Sequence, residues 1–268
     1  MSGFSAAWLE LREPYDLRAR NPEVIDALLA VLAGAPSLTI VDLACGTGST
    51  LRALAPRIKS RQNWRLVDND LSLLARTPQS APPDLIVTTM PVDIERDLEL
   101  ALDGPTDLVT TSALLDLVSD EWLQRLAEET AARRLPVYAA LSYDGRIEFT
   151  PADAMDAKVI AAVNAHQRTD KGFGPALGPK AALAAVQRFE RVGYSVVQGA
   201  ADWTFTPRDR EIQNEILAGW AAAARDIGDT PIADVIGWLG RRRDLVDAGR
   251  SSIRVGHRDL FARPTDIR

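Results

Sequence analysis

The 268-residue sequence contains one cysteine and two histidines, and no long run of apolar residues. A single cysteine, Cys45, excludes disulfides within the chain and is typical of proteins kept in a reducing compartment. No stretch approaches the roughly 18 consecutive apolar residues of a membrane-spanning helix. The first residues also lack the basic and apolar regions of a signal peptide, so we expect a soluble, cytoplasmic protein with no membrane partner.

Positive charge is scarce, since 31 Lys and Arg residues stand against 37 Asp and Glu residues, giving a formal charge of −6. Contacts to phosphates need Lys and Arg, so this balance disfavours nucleic acid as a partner. No constellation of metal-ligating residues is visible, and we expect no metal. With 46% hydrophobic and 25% charged residues, the composition excludes disordered and fibrous classes.

Strand-like apolar runs alternate with helical stretches through the first 150 residues. Strands are predicted at 38–43, 64–67, 85–89, 108–111 and 137–141. Helices are predicted at 22–33 and 121–134, and the second has Trp122, Leu123, Leu126 and Ala127 on one face and Ser119 or Asp120 as its N-cap. Short connections between alternating strands and helices favour a doubly wound, mainly parallel sheet with helices on both faces. We therefore predict a single α/β domain with a Rossmann-like sheet of about seven strands, the last of them antiparallel.

After about residue 149 the pattern becomes mainly helical. Helices are predicted near 152–166, 179–191, 208–225 and 231–248, and strands near 194–198 and 253–261. A long helical insertion before the last strands of an α/β chain is expected to cover the carboxyl edge of the sheet.

A glycine-containing turn follows the first predicted strand, in the segment 41–48 (VDLACGTG). Gly46 and Gly48 remove side chains where a ligand would lie against the backbone. In a doubly wound sheet this turn borders the crevice that binds ligands. The dinucleotide fingerprint would need glycines where this chain has Ala44 and Ser49, which counts against a nicotinamide cofactor. The phosphate-binding P-loop is absent, and a tight turn without a ligand remains the alternative.

Acidic residues follow the next two strands. Asp68 ends the second strand about 20 residues after Gly48, where a carboxylate is placed to accept both hydroxyls of a ribose. Asp93 follows the third strand at the same edge of the sheet. A solvated strand end and a helix N-cap are the alternatives for Asp68 and Asp93, respectively, and Asp70 is predicted to cap the next helix.

In these motifs the sequence resembles the class I S-adenosylmethionine-dependent methyltransferases. The segment 41–48 is similar to their glycine-rich motif, with Ala44 in place of the first glycine. Segments 67–68, 92–94 and 106–113 are similar to the ribose, adenine and fourth-strand motifs. The resemblance covers about residues 38–142, and it specifies the cofactor but not the methyl acceptor.

The resemblance implies S-adenosylmethionine as cofactor and S-adenosylhomocysteine as product. The ribose would be held by Asp68, and the adenine amine by Asp93 with Ile94 packed on the ring. Asp42 would order the loop and the amino end of the cofactor. The full set of implied cofactor contacts in the core is Asp42, Ala44, Cys45, Gly46, Gly48, Asp68, Asn69, Asp93, Ile94, Ser112 and Ala113.

A polar arm, residues 11–21, precedes the predicted core. Similar arms in small-molecule methyltransferases fold over the cofactor. We hypothesise that Tyr15 lines the site and that Arg12 or Arg20 pairs with the cofactor carboxylate, because a guanidinium suits a planar partner. A solvated amphipathic helix is the alternative for both arginines.

A candidate catalytic base is His166, which lies where a helical pattern gives way to a glycine-flanked loop. Such a loop is typical of a lid or substrate pocket, and a histidine there can accept a proton near neutral pH. Helix C-capping is the alternative. Lys171 could bind an anionic substrate, but a surface lysine is the simpler interpretation. We interpret His257 as structural and the basic run 241–243 as a solvated helix face.

Taken together, the sequence predicts a methyltransferase acting on a small molecule, as a monomer or homodimer. The alternatives are RNA or protein as the acceptor, and a cofactor-binding homologue that transfers nothing. Transfer from a sulfonium depends largely on alignment and exclusion of water, so the absence of a catalytic triad does not count against it. We divide the domain into a helical arm (1–36), a cofactor-binding core (37–145), a helical cover with strand six (146–250) and a last strand (251–268).

Overall fold

The computed structural model describes residues 4–77 and 85–265. Within these ranges it contains ten α-helices and eight β-strands. The helices are α1 (Ala6–Ala19), α2 (Pro22–Leu32), α3 (Ser49–Leu54), α4 (Leu71–Leu74), α5 (Leu98–Ala101), α6 (Asp120–Ala132), α7 (Asp156–His166), α8 (Ala181–Arg191), α9 (Arg210–Ile227) and α10 (Ile232–Asp247). The strands are β1 (Ser37–Leu43), β2 (Arg61–Asp68), β3 (Ile86–Pro91), β4 (Leu108–Ser112), β5 (Val137–Thr150), β6 (Tyr194–Ala200), β7 (Trp203–Phe205) and β8 (Ser252–Pro264).

All eight strands form one sheet, in the order β3-β2-β1-β4-β5-β8-β6, with β7 pairing to β8 off this path. Strands β1 to β5 are parallel to their neighbours, and β8 is antiparallel to β5, β6 and β7. The predicted Rossmann-like sheet with an antiparallel last strand is therefore confirmed. The sheet has one more strand than expected, because three-residue β7 is too short to show an alternating pattern in the sequence.

One face of the sheet is covered by α2. Its sequence begins with an N-cap and a proline, since the Asn21 side chain accepts the N–H of Val24 at 3.1 Å and Pro22 has no N–H to satisfy. Apolar residues at helical spacing then join a core that includes buried residues of β1, β2, β4, β5 and β8, and the helix contacts β6 and β8. The buried residues of the helix are Val24, Ile25, Leu28 and Leu32.

Helices α6 and α8 cover the opposite face. Ser119 caps α6 by accepting the N–H of Trp122 at 3.2 Å, which agrees with the predicted cap. The buried face of α6 is also the predicted one, and it comprises Trp122, Leu123, Leu126 and Ala127. The helices pack against both faces of the sheet and form one hydrophobic core on each side. This packing fixes the positions of the turns at the carboxyl edge of the sheet.

A third core lies between the extended part of β5, together with β7 and β8, and the helices packed on them. Strand β5 runs nine residues past the predicted end at Leu141 and, with β7 and β8, supports α1, α7, α9 and α10. The basic run 241–243 was predicted to be solvated, and this prediction is wrong for Arg242. Its side chain is fully buried, donates from Nε to Asp156 Oδ1 at 3.1 Å and lies over the ring of Phe149.

None of the helices in the described ranges combines the length and the apolar character that crossing a bilayer requires.

Candidate active site

A cavity of about 360 Å3 lies at the carboxyl edge of the sheet. It is lined by the turns after β1, β2, β3 and β4, by residues of α1, and by the loop that follows α7. Among the described residues, no group of three or more His, Cys, Asp or Glu side chains is placed to hold a metal ion.

The turn after β1 brings backbone to the cavity wall. Ala44 and Gly46 adopt φ values of +50° and +54°, the left-handed region that glycine enters most readily. A Cβ at Gly46 would lie 3.2 Å from the Leu9 side chain of α1, so a side chain there would crowd the arm. The turn is fixed by two backbone bonds, from Cys45 N–H to the Val67 carbonyl at 2.9 Å and from Gly48 N–H to the Cys45 carbonyl at 2.8 Å.

Asp68 connects the turns after β1 and β2. Its Oδ2 accepts the N–H of Gly46 at 2.8 Å, and its Oδ1 accepts the N–H of Asp70 at 2.9 Å. Burial raises the pKa of this carboxyl, although the backbone donors oppose the rise. The carboxylate lines the cavity and keeps lone pairs for a ligand. Asp70 caps α4 as predicted, since its side chain accepts the N–H of Ser72 at 2.8 Å.

The turn after β3 supplies an acidic and an apolar side chain to the same wall. Asp93 Oδ1 accepts the N–H of Glu95 at 3.2 Å, which shapes the turn. Ile94 is buried, and its carbonyl accepts the indole N–H of Trp122 at 2.7 Å. Further predicted residues lie on the cavity wall beside them, namely Ala44, Cys45, Asn69, Ser112 and Ala113.

Two residues of the implied cofactor set lie outside the lining of the cavity. Asp42 is fully buried beneath it, accepts the hydroxyl of Thr110 at 2.7 Å through Oδ1, and has no partner for Oδ2 among the described residues. Desolvation raises the pKa of Asp42 to about 7. Gly48, with φ of +85°, is the N-cap of α3. Both residues support the turn rather than form its surface.

Of the two arginines proposed for the arm, Arg12 and not Arg20 reaches the cavity. Arg12 donates from Nε to Asp16 Oδ2 at 2.9 Å, one helical turn later, and both side chains line the cavity. Arg20 is buried behind the sheet edge, where its guanidinium donates to the hydroxyl of Tyr138 at 3.3 Å and to Ser112 at 3.5 Å. It also donates to Thr50 at 3.5 Å, so it contacts the cavity lining through the hydroxyls of Ser112 and Thr50.

Tyr15 also lies outside the cavity, contrary to the hypothesis that it lines the site. Its hydroxyl donates to Asp209 Oδ1 at 2.8 Å, and its ring packs edge-on against Phe205 with centroids 4.9 Å apart. These contacts join α1 to β7 and to the start of α9. The packing of the arm on the third core thus turns Tyr15 away from the cavity.

His166 ends α7 and does not line the cavity. Its Nε2 lies 3.6 Å from Asp226 Oδ2, and its Nδ1 lies 3.3 Å from Lys171 Nζ. Burial, together with the charge of Lys171, lowers the pKa of His166, so the ring is neutral at pH 7. Lys171, which does line the cavity, is therefore the residue through which His166 adjoins it.

Sequence reasoning missed the apolar part of the lining. Leu9 of α1, Leu117 after β4 and Phe173 in the loop after α7 face the cavity. Phe173 packs edge-on against Trp122, with ring centroids 5.4 Å apart. Apolar residues at such positions carry the same sequence signal as core residues, and only the packed structure separates the two.

Comparison with known proteins assigns the core. Residues 40–135, which run from β1 through α6, match the family model described as a methyltransferase domain. The core of this chain is a methyltransferase domain. Members of this domain family use S-adenosylmethionine, so the predicted recognition and cofactor are confirmed at the level of the family. No relative was found among curated protein sequences.

Solved structures agree with this fold. The cyclopropane synthase MmaA2 from Mycobacterium tuberculosis is similar with a TM-score of 0.52 and 11% identity, over 97% of this chain and 95% of that one. The YcgJ protein from Bacillus subtilis is similar with a TM-score of 0.50 and 12% identity, over 92% of this chain and 100% of that one. At these identities the similarity shows the class I methyltransferase fold and nothing more specific.

Proposed function

We propose that this methyltransferase moves the methyl group of S-adenosylmethionine to a small molecule bound in the cavity at the carboxyl edge of the sheet. The observation that carries the proposal is the position of Asp68. A carboxylate fixed by the N–H groups of Gly46 and Asp70 lies at the cavity wall beside a turn that presents its own backbone. This combination suits a nucleoside whose ribose offers two hydroxyl donors.

The other walls fit the remaining parts of the cofactor. Asp93 would accept from the adenine amine, and Ile94 offers the ring an apolar surface. Ser112 and Ala113 would border the methionine moiety. The Arg12–Asp16 pair presents one cation and one anion to the cavity, which is the complement of an amino acid zwitterion. Of the two arginines predicted to pair with the cofactor carboxylate, Arg12 is therefore the one proposed here.

When bound, the cofactor supplies a methyl group on a positively charged sulfur that leaves as a neutral thioether. The chain's own work is to align the acceptor opposite that sulfur and to exclude water. Leu9, Leu117 and Phe173 provide apolar surface for both tasks. A small acceptor is favoured because the cavity is lined by the arm and the loop after α7 as well as by the core, and because the chain is acidic.

The test is calorimetric titration of S-adenosylmethionine and S-adenosylhomocysteine into wild-type protein and Asp68→Ala. We expect micromolar binding that the substitution weakens by about 1–3 kcal/mol, the scale of a lost hydrogen bond to a charged group. The matched control is Asp97→Ala, because Asp97 is exposed, lies outside the cavity and makes no side-chain cap bond. Absence of binding to folded wild-type protein would refute the proposal.

A further inference from the structure

The loop after α7 has a defined conformation at the mouth of the cavity. The Asp170 side chain accepts the N–H groups of Gly172 at 2.6 Å and Gly174 at 3.1 Å, and both glycines have positive φ. Asp170 and Pro175 are joined by a β-bridge. Past this turn, Leu177 donates its N–H to the carbonyl of Val118 at 2.8 Å, which ties the loop to the segment after β4. Lys171 is therefore presented to the cavity by a structured turn.

The ammonium of Lys171 has one more donor than its neighbours use. An ammonium carries three N–H donors and no acceptor. One donor is directed to His166 Nδ1 at 3.3 Å and another to Thr169 Oγ1 at 3.0 Å. No carboxylate of the described residues lies within 4.0 Å of Nζ. The third donor has no hydrogen-bond partner among the described residues, and Lys171 lines the cavity.

His166 and Asp226 hold the ammonium in this orientation. The carboxylate of Asp226, on α9, faces His166 Nε2 at 3.6 Å and favours the tautomer that carries its proton there. Nδ1 then keeps its lone pair and accepts from Lys171. His166, predicted as a catalytic base, is by this geometry a positioning residue for Lys171.

The other cation of the cavity wall is already neutralised. Arg12 is paired with Asp16, whereas Lys171 is partly buried and is opposed only by the more distant Asp226. Burial of a charge without a paired counter-ion is unfavourable. A ligand that brings a single negative charge would remove this cost, and one that brings a neutral group would not.

We propose that the acceptor carries a carboxylate, which the free N–H donor of Lys171 binds, and an apolar body, which packs on Leu9, Leu117 and Phe173. The inference rests on the proposed function, since it places the acceptor in the cavity that also holds the cofactor. A carboxylate is favoured over a phosphate because one free donor matches a monoanion, whereas phosphate sites commonly gather several donors.

The test uses protein saturated with S-adenosylhomocysteine and a panel of probe acids, namely benzoate, phenylacetate and hexanoate, each compared with its primary amide. Calorimetry should show at least one acid binding about ten-fold or more tightly than its amide. Lys171→Met should abolish that preference, and Lys171→Arg, which keeps the charge, should retain it. His166→Ala should reduce it. Lys158→Met is the control, because Lys158 is an exposed lysine of α7 outside the cavity.

Three results would overturn the inference. The first is that no acid binds more tightly than its amide in the wild type, and the second is that the preference survives Lys171→Met. The third is that Lys171→Met weakens S-adenosylhomocysteine binding and leaves the preference unchanged, which would make Lys171 a cofactor contact. Titration of S-adenosylhomocysteine alone separates the two proposals. Failure of that titration in the wild type removes the proposed function, whereas its success without any acid preference removes only the acceptor class.

Discussion

Asp42 is a carboxylic acid removed from water. It is fully buried beneath the glycine turn, and only one of its carboxylate oxygens has a hydrogen-bond partner among the described residues. Desolvation raises its pKa to about 7, while Thr110 and the charge of Arg20 hold the rise in check. The folded protein therefore keeps a proton on Asp42 over a range in which the unfolded chain has released it.

This proton makes stability depend on pH. An unfolded aspartate titrates near pH 4, so between about pH 4 and pH 7 the folded state binds more protons and the contribution of Asp42 is lost as pH rises. We expect the stability of Asp42→Asn relative to wild type to increase over this window by up to about 1.4 kcal/mol per pH unit, and to level off above it. Urea unfolding between pH 4.5 and 8 measures this difference, with exposed Asp97→Asn as control. Parallel curves for Asp42→Asn and wild type would contradict the assignment.

Single positions differ in how well they can be predicted from sequence. Asp68, Asp93 and the 41–48 turn follow parallel strands, whose carboxyl ends must meet at one edge, so their shared position follows from chain order. Tyr15 and His166 sit on helices, where the facing direction depends on how the helix packs. Tyr15 is oriented by its hydrogen bond to Asp209, and His166 lies 3.6 Å from Asp226. Both contacts join residues distant in sequence, and no local pattern contains that information.

At the scale of elements, α7 and α10 are joined by a buried ion pair. Arg242 of α10 bonds both oxygens of Asp156, the first residue of α7, and donates to the Pro151 carbonyl at 2.7 Å. The indole N–H of Trp238 donates to the same carboxylate at 2.8 Å. Arg242 and Trp238 thus both donate to Asp156, and Arg242 is the cation that balances its charge.

Removal of one partner should be costly. Arg242→Met keeps much of the side-chain volume but leaves Asp156 buried with no cation, and we expect a loss of about 3–5 kcal/mol in the free energy of unfolding. Arg243→Met is the matched control, because Arg243 is the exposed neighbour in the same helix and should change stability by less than about 0.5 kcal/mol. Denaturant titration of both variants measures the difference. Equal effects would show that the pair adds nothing beyond surface charge.

Helices and strands were predictable where one pattern runs unbroken. Helices α2 and α6 have a cap and a regular apolar face, and both appear as expected. Strand β5 was predicted to end at Leu141, but it continues to Thr150 through two register shifts. Leu141 itself adopts φ of +56° at the first of them. A bulge interrupts the alternation of side chains between the two faces of a strand. The sequence pattern therefore stops at Leu141, although the strand itself continues.

At the scale of the whole molecule, the cavity is where its parts meet. The arm, the core and the cover each supply lining residues. A ligand bound there contacts all three and stabilises the folded state by mass action. The exact division of the chain into these parts at residues 36, 145 and 250 stays a prediction.

Cofactor binding should therefore raise the melting temperature. S-adenosylhomocysteine at about 100 times its dissociation constant adds about 2.7 kcal/mol, which for a chain of this size is a shift of roughly 5–10 °C. Asp68→Ala at the same ligand concentration should show a much smaller shift. Thermal unfolding followed by circular dichroism measures both proteins. An equal shift in Asp68→Ala would place the ligand away from that carboxylate.

The position of β8 in the sheet has a consequence for synthesis. β8 follows every other described element in the chain, yet it lies between β5 and β6 and also pairs with β7. As the nascent polypeptide leaves the ribosome, β1 to β4 can pair with their neighbours before β8 has been synthesised. One edge of β5, by contrast, stays unpaired until β8 emerges. Unpaired edges favour association with other chains. β8 emerges more than 100 residues after β5, and during this interval the growing chain exposes an edge at which it can associate with other chains.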